Sequence, residues 1–581
     1  MTKRIYDEEK IPYIIFLVFI LGLTVRCFYS FCWSDESFYL SLIHRFWVGD
    51  KPLVEEWSGV QFYAILLLPL YSLYILIKGN NDGIYLAARL FYIFCNSCLS
   101  FYIFKSIKKE AGSWIALGSS LIYMLYLRAN IQGISYYSIG LFSFSLAVYL
   151  LYNSKNNKKN YVRLISVGIL LFIAAVAVPF IVIAYIIVGG GVLTIKRLRC
   201  KKNVLFVILG GFVIGSIIYV LYFLSFVKVD EAVFYFPNIF GDPEHVSGNL
   251  LISAILAGGR IVYRYIYTFP FWGYLIAYLL YIRYIRHDKI NEKQRRRLFL
   301  INVGVWLINV LLSYDILGCV IIASSIFMVI CLLLDYNLSD ISKGLLLKVF
   351  LPGIAFSLIF HASSNTGLDS LTIGFALSGT CIPVVLNDFF KSNEKLLGKW
   401  GKIVLISVVS ITVIQSAFLR IFSVYRDDNL SELTERIEYG PAKNLFTTKQ
   451  HKEEYNDIVE VINNTCKLVQ GEQMAITEIV PWAYLCMNNS YGLPSPCRFW
   501  GGINKERLMK YYEKMPYKFP EYILDIDSGY GGCRSIIIQG NEIIENPNGT
   551  GEDIWLVEEA IKRGYNSINS KCGIVYIKDN P

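Results

Sequence analysis

Two adjacent carboxylates, Asp35 and Glu36, lie among aromatic residues in the segment Phe31–Tyr39. Carboxylates in such a position can accept protons, which is the chemistry of a general base. The pair comes just after an apolar run, and acids at membrane depth are costly to bury and usually functional. The alternative is that both acids only cap the helix that follows, because the positive N-terminal end of a helix favours anions.

The elements that hold this pair are predicted from hydropathy. Of the 581 residues, 55% are hydrophobic and 17% are charged, a composition too apolar for a soluble protein of this length. Nearly all of the first 420 residues fall into apolar runs of about 17 to 25 residues, the length that crosses a bilayer. The net charge of +10 comes from short basic clusters between these runs, so it indicates membrane topology and not nucleic-acid binding.

Placing every basic cluster in the cytoplasm predicts about 13 transmembrane helices and a cytoplasmic N-terminus. The predicted crossings are Ile11–Tyr29, Ile84–Phe104, Trp114–Leu127, Ile139–Tyr152, a hairpin over Leu164–Thr194 that turns near Pro179, Val204–Phe226, Tyr265–Ile282, Leu298–Leu312, Ile316–Leu334, Leu345–Phe360, Leu371–Leu386 and Ile403–Leu419. The apolar run Phe62–Leu76 is not counted, because a crossing there would move every later basic cluster to the outer side. We expect it to be an interface helix within a large first outer loop, residues 31–83.

The composition changes after Leu419, which predicts a transmembrane domain over residues 1–420 and a small extracytoplasmic α/β domain over residues 421–581. The predicted elements of the second domain are a helix capped by Thr447 or Thr448, a strand over Met474–Val480, a helix from Lys505, a strand over Tyr522–Ile526, a helix from Glu552 closed by Gly564, and a strand over Gly573–Lys578.

With this layout, Ile11–Lys202 resembles the integral-membrane glycosyltransferases of the C-type fold (GT-C), which use a polyprenyl-phosphate sugar as donor. That group includes the family 39 protein O-mannosyltransferases and the lipid A aminoarabinose transferases. The resemblance rests on the acidic pair with Tyr39, on Gly49-Asp50-Lys51-Pro52, and on Ala88-Arg89-Leu90. Further elements are similar to those of uncharacterised bacterial family 39-like membrane proteins: Glu56-Trp57, Gln61-Phe62, Ile134-Ser135-Tyr136-Tyr137 and Tyr439-Gly440-Pro441.

The chain departs from the family pattern in its next outer loop. The resemblance implies a second acidic residue there, but Arg128–Ser138 contains none. A carboxylate that would help to hold a metal or the acceptor is therefore missing from the expected place. The histidines His44, His245 and His361 have no spacing typical of metal ligands, so the sequence predicts no metal site.

The resemblance implies transfer of a sugar from a polyprenyl-phosphate-linked donor to an extracytoplasmic acceptor at the outer face of the cytoplasmic membrane. The acceptor, a cell-envelope glycan, lipid or protein, would attack the sugar as the lipid phosphate leaves. Asp35 is the expected base, with Glu36 as its alternative or as an orienting partner. The expected phosphate-binding cations are Lys51, Arg45, Arg89 and Arg128, and the expected sugar- or acceptor-binding residues are Tyr39, Tyr136 and Tyr137.

Some alternatives stay open at the level of sequence. Each of the four cations could instead lie along the membrane surface with its charged head in water. No cofactor other than the lipid-linked donor is implied, and the involvement of a divalent cation is undecided. Two other functions compete with an enzyme: a transporter or flippase of envelope precursors, and a membrane-anchored binding protein. No pair of broken helices recurs in the two halves of the chain, as it does in many transporters, and 13 crossings are far more than an anchor needs.

Overall fold

The computed structural model describes residues 2–154, 160–194, 202–240, 270–282, 291–312, 317–335, 337–363, 368–469, 471–496, 505–527, 536–539, 542–545 and 551–579. Parts of three predicted basic clusters, at 155–159, 195–201 and 283–290, lie outside these ranges. The sequence also predicts an outer loop from Lys228 to Arg264, and residues 241–264 of that loop lie outside the described ranges. The predictions for these segments stay predictions.

The first part of the chain is almost entirely helical, as the long apolar runs predict. Its helices, in chain order, are Thr2–Arg26, Asp35–Trp47, Phe62–Lys78, Ile84–Ala111, Ser113–Leu125, Tyr136–Tyr152, Tyr161–Ala177, Val182–Thr194, Lys202–Phe223, Val229–Tyr235, Pro270–Leu280, Glu292–Leu312, Cys319–Leu334, Asp340–Leu345, Leu351–Ala362, Leu368–Gly379, Ile382–Ser392 and Glu394–Phe422. Short helical turns lie at Arg128–Asn130, Pro179–Ile181, Phe236–Phe240 and Leu346–Phe350. A short turn at Pro179–Ile181 separates the helices Tyr161–Ala177 and Val182–Thr194 at the position predicted for the hairpin turn, and the hairpin itself stays a prediction.

Within the described residues, four helices are long and apolar enough to cross a membrane: Ile84–Ala111, Lys202–Phe223, Asp340–Ala362 and Glu394–Phe422. Further apolar helices are shorter, and they include Phe62–Lys78, the predicted interface helix. Apolar helices of this kind are those of a membrane protein. The predicted total of about 13 crossings stays a prediction.

One predicted crossing, Leu371–Leu386, is two helices. Asp369–Gly379 and Ile382–Ser392 meet at an angle of 56°, and together they count as a fifth candidate span. Pro383 lies in the first turn of the second helix, a position that suits proline because its missing N–H has no partner there in any case. The hydropathy pattern is one continuous apolar run, whereas the backbone bends just before Pro383, where the second helix begins.

The C-terminal part contains the helices Lys449–Val461, Lys505–Lys514 and Gly551–Lys562. Its strands are β1 Glu435–Arg436, β2 Phe446–Thr447, β3 Gln473–Ile476, β4 Ser490–Tyr491, β5 Tyr522–Ile526, β6 Ile536–Gln539, β7 Glu542–Glu545, β8 Asn566–Ser570 and β9 Gly573–Ile577. The main sheet has the order β4-β3-β5-β9-β8. In it β3 is parallel to β4 and β5, and β9 is antiparallel to β5 and β8.

In this part of the chain, the residues predicted to begin and end helices are found at those positions in the structure. The Thr448 side chain accepts from the His451 N–H and caps the helix Lys449–Val461. Tyr455, Ile458 and Val459 on the inner face of that helix are buried. Gly564 follows the helix Gly551–Lys562 with a φ of +83°, the left-handed conformation that glycine adopts without strain.

The C-terminal part packs directly on the first outer loop through main-chain hydrogen bonds. The Ser30 N–H donates to the Phe446 carbonyl at 2.9 Å, and the Trp57 N–H donates to the Pro494 carbonyl at 2.8 Å. A separate contact, from the Tyr425 hydroxyl to Asp35, places the end of the long helix Glu394–Phe422 beside the acidic pair.

Candidate active site

The acidic pair opens the helix Asp35–Trp47. Both acids lie in its first turn, where the helix dipole favours negative charge. Ser34, the residue before the helix, has φ −114° and ψ −84° and gives no side-chain cap. The two carboxylates therefore project from the same turn, and their surroundings decide their roles.

Glu36 is closed off from solvent by an arginine. Its side chain is 1% exposed and accepts from Arg89 at both oxygens, with Nε to Oε1 at 2.7 Å and Nη2 to Oε2 at 2.6 Å. Arg89 also donates to the Cys27 carbonyl at 2.8 Å. A Cβ on Gly133 would come within 2.7 Å of Glu36 Oε1, so the loop after Arg128 lies directly on this pair. A bidentate ion pair sealed in this way orients its neighbours and has no room for a substrate.

Asp35, by contrast, is 31% exposed. The Tyr425 hydroxyl donates to Asp35 Oδ2 at 2.7 Å, and Arg426 Nη1 lies 3.3 Å from the same oxygen. Burial, with a further contribution from Asp35, raises the pKa of Tyr425 well above its usual value, so the tyrosine stays a neutral donor. The Arg426 side chain is 44% exposed. Asp35 is thus a supported carboxylate with an open face, which general-base chemistry requires.

The three predicted tyrosines form one cluster beside the acidic pair. The ring centroid of Tyr39 lies 5.8 Å from that of Tyr136 and 5.6 Å from that of Tyr137. Burial raises the pKa of Tyr39 well above its usual value, and Asp35 is among the nearby charges that raise it further. Asp35 and Tyr39 are four residues apart in the helix Asp35–Trp47, so the carboxylate and the aromatic cluster lie on the same face of that helix.

Arg128 joins this cluster together with an acid from a distant part of the chain. Its guanidinium lies 4.6 Å from the Tyr137 ring centroid, and its Nε lies 3.0 Å from Asp369 Oδ2. The Asp369 carboxylate also accepts from the Ala129 N–H at 3.2 Å. An acid from the helix that begins at Leu368 thus lies against the segment Arg128–Ser138, which contains no acid of its own.

Strained backbone surrounds both cations of this site. Arg426 has a φ of +51°, and Ala129 and Asn130, which follow Arg128, have φ values of +46° and +58°. Left-handed conformations at residues other than glycine cost about 1 to 3 kcal/mol each and tend to occur at functional sites. Asn130 is held by Arg420, whose Nη1 donates to its Oδ1 at 2.6 Å, so the end of the last long helix fixes this loop.

The other predicted phosphate-binding cations lie apart from this cluster. Arg89 is committed to Glu36, as described above. Arg45 is fully buried, and its guanidinium is 2.8 Å from Asp50 Oδ2 and 2.7 Å from Glu56 Oε2. Lys51 is 42% exposed and pairs with Glu231 at 3.0 Å. The structure therefore brings Asp35, Arg128 and the tyrosines together and leaves Arg45 and Lys51 outside.

Arg45 belongs to a charge network that ties the first outer loop to the C-terminal part. Lys518 Nζ lies 2.8 Å from Asp50 Oδ1 and 3.1 Å from Glu55 Oε1. Burial opposes ionisation of Asp50, but Lys518 and Arg45 outweigh it and hold the pKa of Asp50 below its usual range. Burial raises the pKa of Glu56 despite its pairing with Arg45.

Another polar group combines ligand types that metals use. Asp427, Asp428 and His451 bring one ligand atom each to within 4.8 Å of one another. The Asp427 oxygens already accept hydrogen bonds: from the Phe31 N–H at 2.5 Å, from the Thr447 hydroxyl at 3.1 Å, and from His451 Nδ1 at 2.8 Å. In this arrangement Asp427 anchors the start of the segment that carries Asp35.

Sequence reasoning missed three residues of the site: Tyr425, Arg426 and Asp369. Tyr425 and Arg426 stand at the change in composition after the last apolar run, which was a signal for a boundary but not for a site. Asp369 lies in the first turn of the helix Leu368–Gly379, and nothing in the sequence couples that helix to Arg128.

No family model matches the chain, and no curated protein matches it. The chain is similar in structure to the archaeal oligosaccharyltransferase AglB from Archaeoglobus fulgidus. In complex with an inhibitory peptide and a dolichol-phosphate, that protein gives a TM-score of 0.44 at 11% identity, over 89% of this chain and 69% of the other. Its apo form gives 0.45 at 11% identity, over 88% and 69%. At this level of similarity, the residues of the site have to carry any functional assignment.

Proposed function

We propose that this protein transfers a sugar from a polyprenyl-phosphate-linked donor to an extracytoplasmic acceptor, with Asp35 as the general base. The observation that supports the proposal is the inequality of the two adjacent acids. Glu36 is saturated by Arg89, whereas Asp35 has an open face and a hydroxyl donor. Base chemistry needs one acid that can receive a proton and a scaffold that keeps it in place.

In the proposed reaction, Asp35 takes the proton from the acceptor hydroxyl or amine. The acceptor atom then forms a bond to the sugar C1 as the bond from C1 to the phosphate oxygen breaks, and the polyprenyl phosphate leaves with the electron pair. Arg426 lies beside Asp35 and is 44% exposed, so it is placed to offset the charge that develops on the leaving phosphate. Arg128 adds positive charge on the far side of the tyrosine cluster.

The remaining predicted residues take supporting roles in this proposal. Arg89 orients Glu36, and Arg45 holds the first outer loop, because both guanidinium groups are fully buried and engaged. Lys51 lies apart from the Asp35 site and pairs with Glu231, so the proposal gives it no part in binding the donor phosphate. Tyr39, Tyr136 and Tyr137 form the wall on which the sugar or the acceptor would pack.

The proposal places the protein in the cell membrane, with a cytoplasmic N-terminus and with residues 421–581 on the outer side. Basic clusters between the apolar runs support this topology. Reporter fusions after Tyr425 should be active only outside the cytoplasm. A cytoplasmic signal from that position would mean that Phe62–Lys78 crosses the membrane, and the first outer loop would then be divided.

Mass spectrometry of a deletion strain tests the function itself. We expect one sugar to be missing from a cell-envelope glycan, lipid or protein, and the matching polyprenyl-phosphate sugar to accumulate. Complementation with wild type should restore the glycan, and complementation with Asp35→Asn should not. An unchanged set of glycans, with lipid-linked precursors trapped on the inner leaflet, would instead identify a flippase and contradict the proposal.

A further inference from the structure

A polar cavity of about 300 Å³ lies between the predicted first outer loop and the C-terminal part. One wall is the turn Asn80–Asp82, just before the helix Ile84–Ala111. The other wall consists of Tyr439–Pro441, the end of the helix Lys449–Val461, and Leu485–Asn488. None of these residues contributes to the Asp35 site described above.

The side chains that face this cavity are mainly neutral amides with hydrogen-bonding capacity to spare. Asn463 and Asn488 are exposed, and neither amide has a hydrogen-bond partner within the described part of the chain. The side-chain Oδ1 of Asn80 accepts from the Asp82 N–H at 3.0 Å, which leaves the side-chain Nδ2 of Asn80 for another acceptor. Tyr439 adds a ring that is 41% exposed.

The charge in the lining is neutralised. Asp82 is the one charged side chain among the described lining residues, and its Oδ2 lies 3.3 Å from Lys443 Nζ. Its Oδ1 accepts from the Gly440 N–H at 3.1 Å. No cation among the described lining residues faces the cavity, so nothing there would bind a phosphate or a carboxylate.

The walls are held by contacts that do not involve the unpaired amides. Asn81 is buried, and its amide donates to the Leu485 carbonyl at 2.9 Å. The Gly83 N–H donates to the Gly440 carbonyl at 3.0 Å across the junction of the two parts. Val459, Leu485 and Pro441 add apolar atoms to the lining. A preformed cavity that offers both apolar atoms and several polar groups is typical of a small-molecule site.

We propose that this cavity binds a neutral sugar residue of the acceptor, an inference that rests on the proposed transferase function. Amide groups both donate and accept, as the hydroxyls around a sugar ring require. The Tyr439 ring offers an apolar surface to the C–H face of the sugar. The volume is at the lower end of the range for ligand sites, so it suits one ring and not a long chain.

The test is ligand binding by the full-length protein in nanodiscs, measured by ligand-detected NMR with neutral monosaccharides and disaccharides as probes. We expect saturable binding that weakens about tenfold or more in the double variant Asn463→Ala/Asn488→Ala, because two hydrogen-bonding groups are lost. Asn464→Ala is the matched control, since Asn464 is exposed and does not line the cavity. Thermal unfolding of each variant checks that the fold is retained.

Binding is measured separately from transfer, so the two proposals can fail independently. Sugar binding that persists in Asp35→Asn and falls in the double variant supports the cavity assignment whatever the transfer assay shows. Sugar binding that is equal in wild type and the double variant overturns it. Peptides that bind in a manner sensitive to the double variant, with no binding of sugars, would also overturn it and would identify the cavity as a peptide site.

Discussion

The two ends of the helix Asp35–Trp47 hold charge in opposite ways. At its C-terminal end, Arg45 is completely buried, and its partner Asp50 is 2% exposed. At its N-terminal end, Asp35 and Arg426 form a pair that is 31% and 44% exposed. One short helix thus carries a closed network that joins two parts of the chain and an open pair that a substrate can reach.

The difference shows which charges are available for chemistry. Burying an ion pair costs desolvation free energy, which is recovered only if every donor and acceptor is satisfied. The Arg45 network meets this condition with Asp50, Glu56 and the Glu55 carbonyl. Asp35 stays 31% exposed, and its partners Tyr425 and Arg426 come from the segment that follows the last long helix.

Arg45→Met should disrupt the buried charge network at the C-terminal end of this helix, with the largest effect on stability of the variants considered. Removing the guanidinium leaves Asp50 and Glu56 buried with less compensation, and breaking a buried pair costs about 3 to 5 kcal/mol. We expect a large fall in unfolding temperature, or no accumulation of folded protein. Arg436→Met is the control, because Arg436 is exposed and should change stability little. Wild-type stability of Arg45→Met would refute the closed network.

Arg426→Ala should weaken donor binding at the exposed Asp35–Arg426 pair with little effect on stability. If Arg426 binds the donor phosphate, its loss removes a charge-assisted hydrogen bond of about 1.5 to 3 kcal/mol, roughly a tenfold to hundredfold loss of donor affinity. Because the side chain is 44% exposed, the unfolding temperature should change little. Donor binding and thermal unfolding are measured together. A large loss of stability with unchanged donor binding would make Arg426 a structural residue.

Gly133→Ala should disturb the orienting pair without removing any charge. The added Cβ would stand 2.7 Å from Glu36 Oε1 and 2.8 Å from its Cγ, so the Glu36–Arg89 pair has to shift. Overpacking of this kind costs about 1 to 3 kcal/mol. Gly22→Ala is the matched control, because a Cβ there meets nothing within 4 Å. Equal unfolding temperatures for the two variants would show that the loop around Gly133 moves to accommodate the added Cβ without loss of stability.

The smallest effect is expected at the anchor formed by His451 and Asp427. Burial alone would lower the pKa of His451, but Asp427 and Asp428 outweigh it and raise that pKa above its usual value. The stability contributed by the charged pair is therefore complete below the unfolded pKa of about 6.5 and is lost as pH rises through the folded pKa. We expect about 1 kcal/mol or less over this interval. His451→Gln should remove this part of the pH dependence of the unfolding temperature, and an unchanged profile would contradict the assignment.

Local signals predicted much of the fold. Thr448 and Gly564 mark the start of one helix and the end of another, because capping depends on neighbouring backbone groups. The break between two helices at Pro179 is also a local effect, because proline restricts its own backbone and that of the residue before it. The bend between Gly379 and Ile382 was not predicted, because a hydropathy run does not report a change of direction.

The site was predicted only in part, because its pairings are long-range. The sequence predicts Asp35 as the base but leaves Glu36 as its alternative or as an orienting partner, and Arg89, which distinguishes the two acids, lies 53 residues from Glu36. Asp369 is 240 residues from Ala129, to which it bonds. No local pattern encodes a contact of that kind, so the second acid and Arg426 appear only once the helices are packed.

The most direct test of the account is the rate of sugar transfer by purified Asp35→Asn, with donor binding measured on the same protein. The amide keeps the shape of the side chain but cannot take the acceptor proton, so we expect transfer to fall by about 10² to 10⁴-fold with donor binding nearly intact. Glu36→Gln should slow transfer less, and the double variant should be no slower than Asp35→Asn, since the two acids act as one unit. Wild-type turnover by Asp35→Asn would contradict the assignment of the open carboxylate as the base.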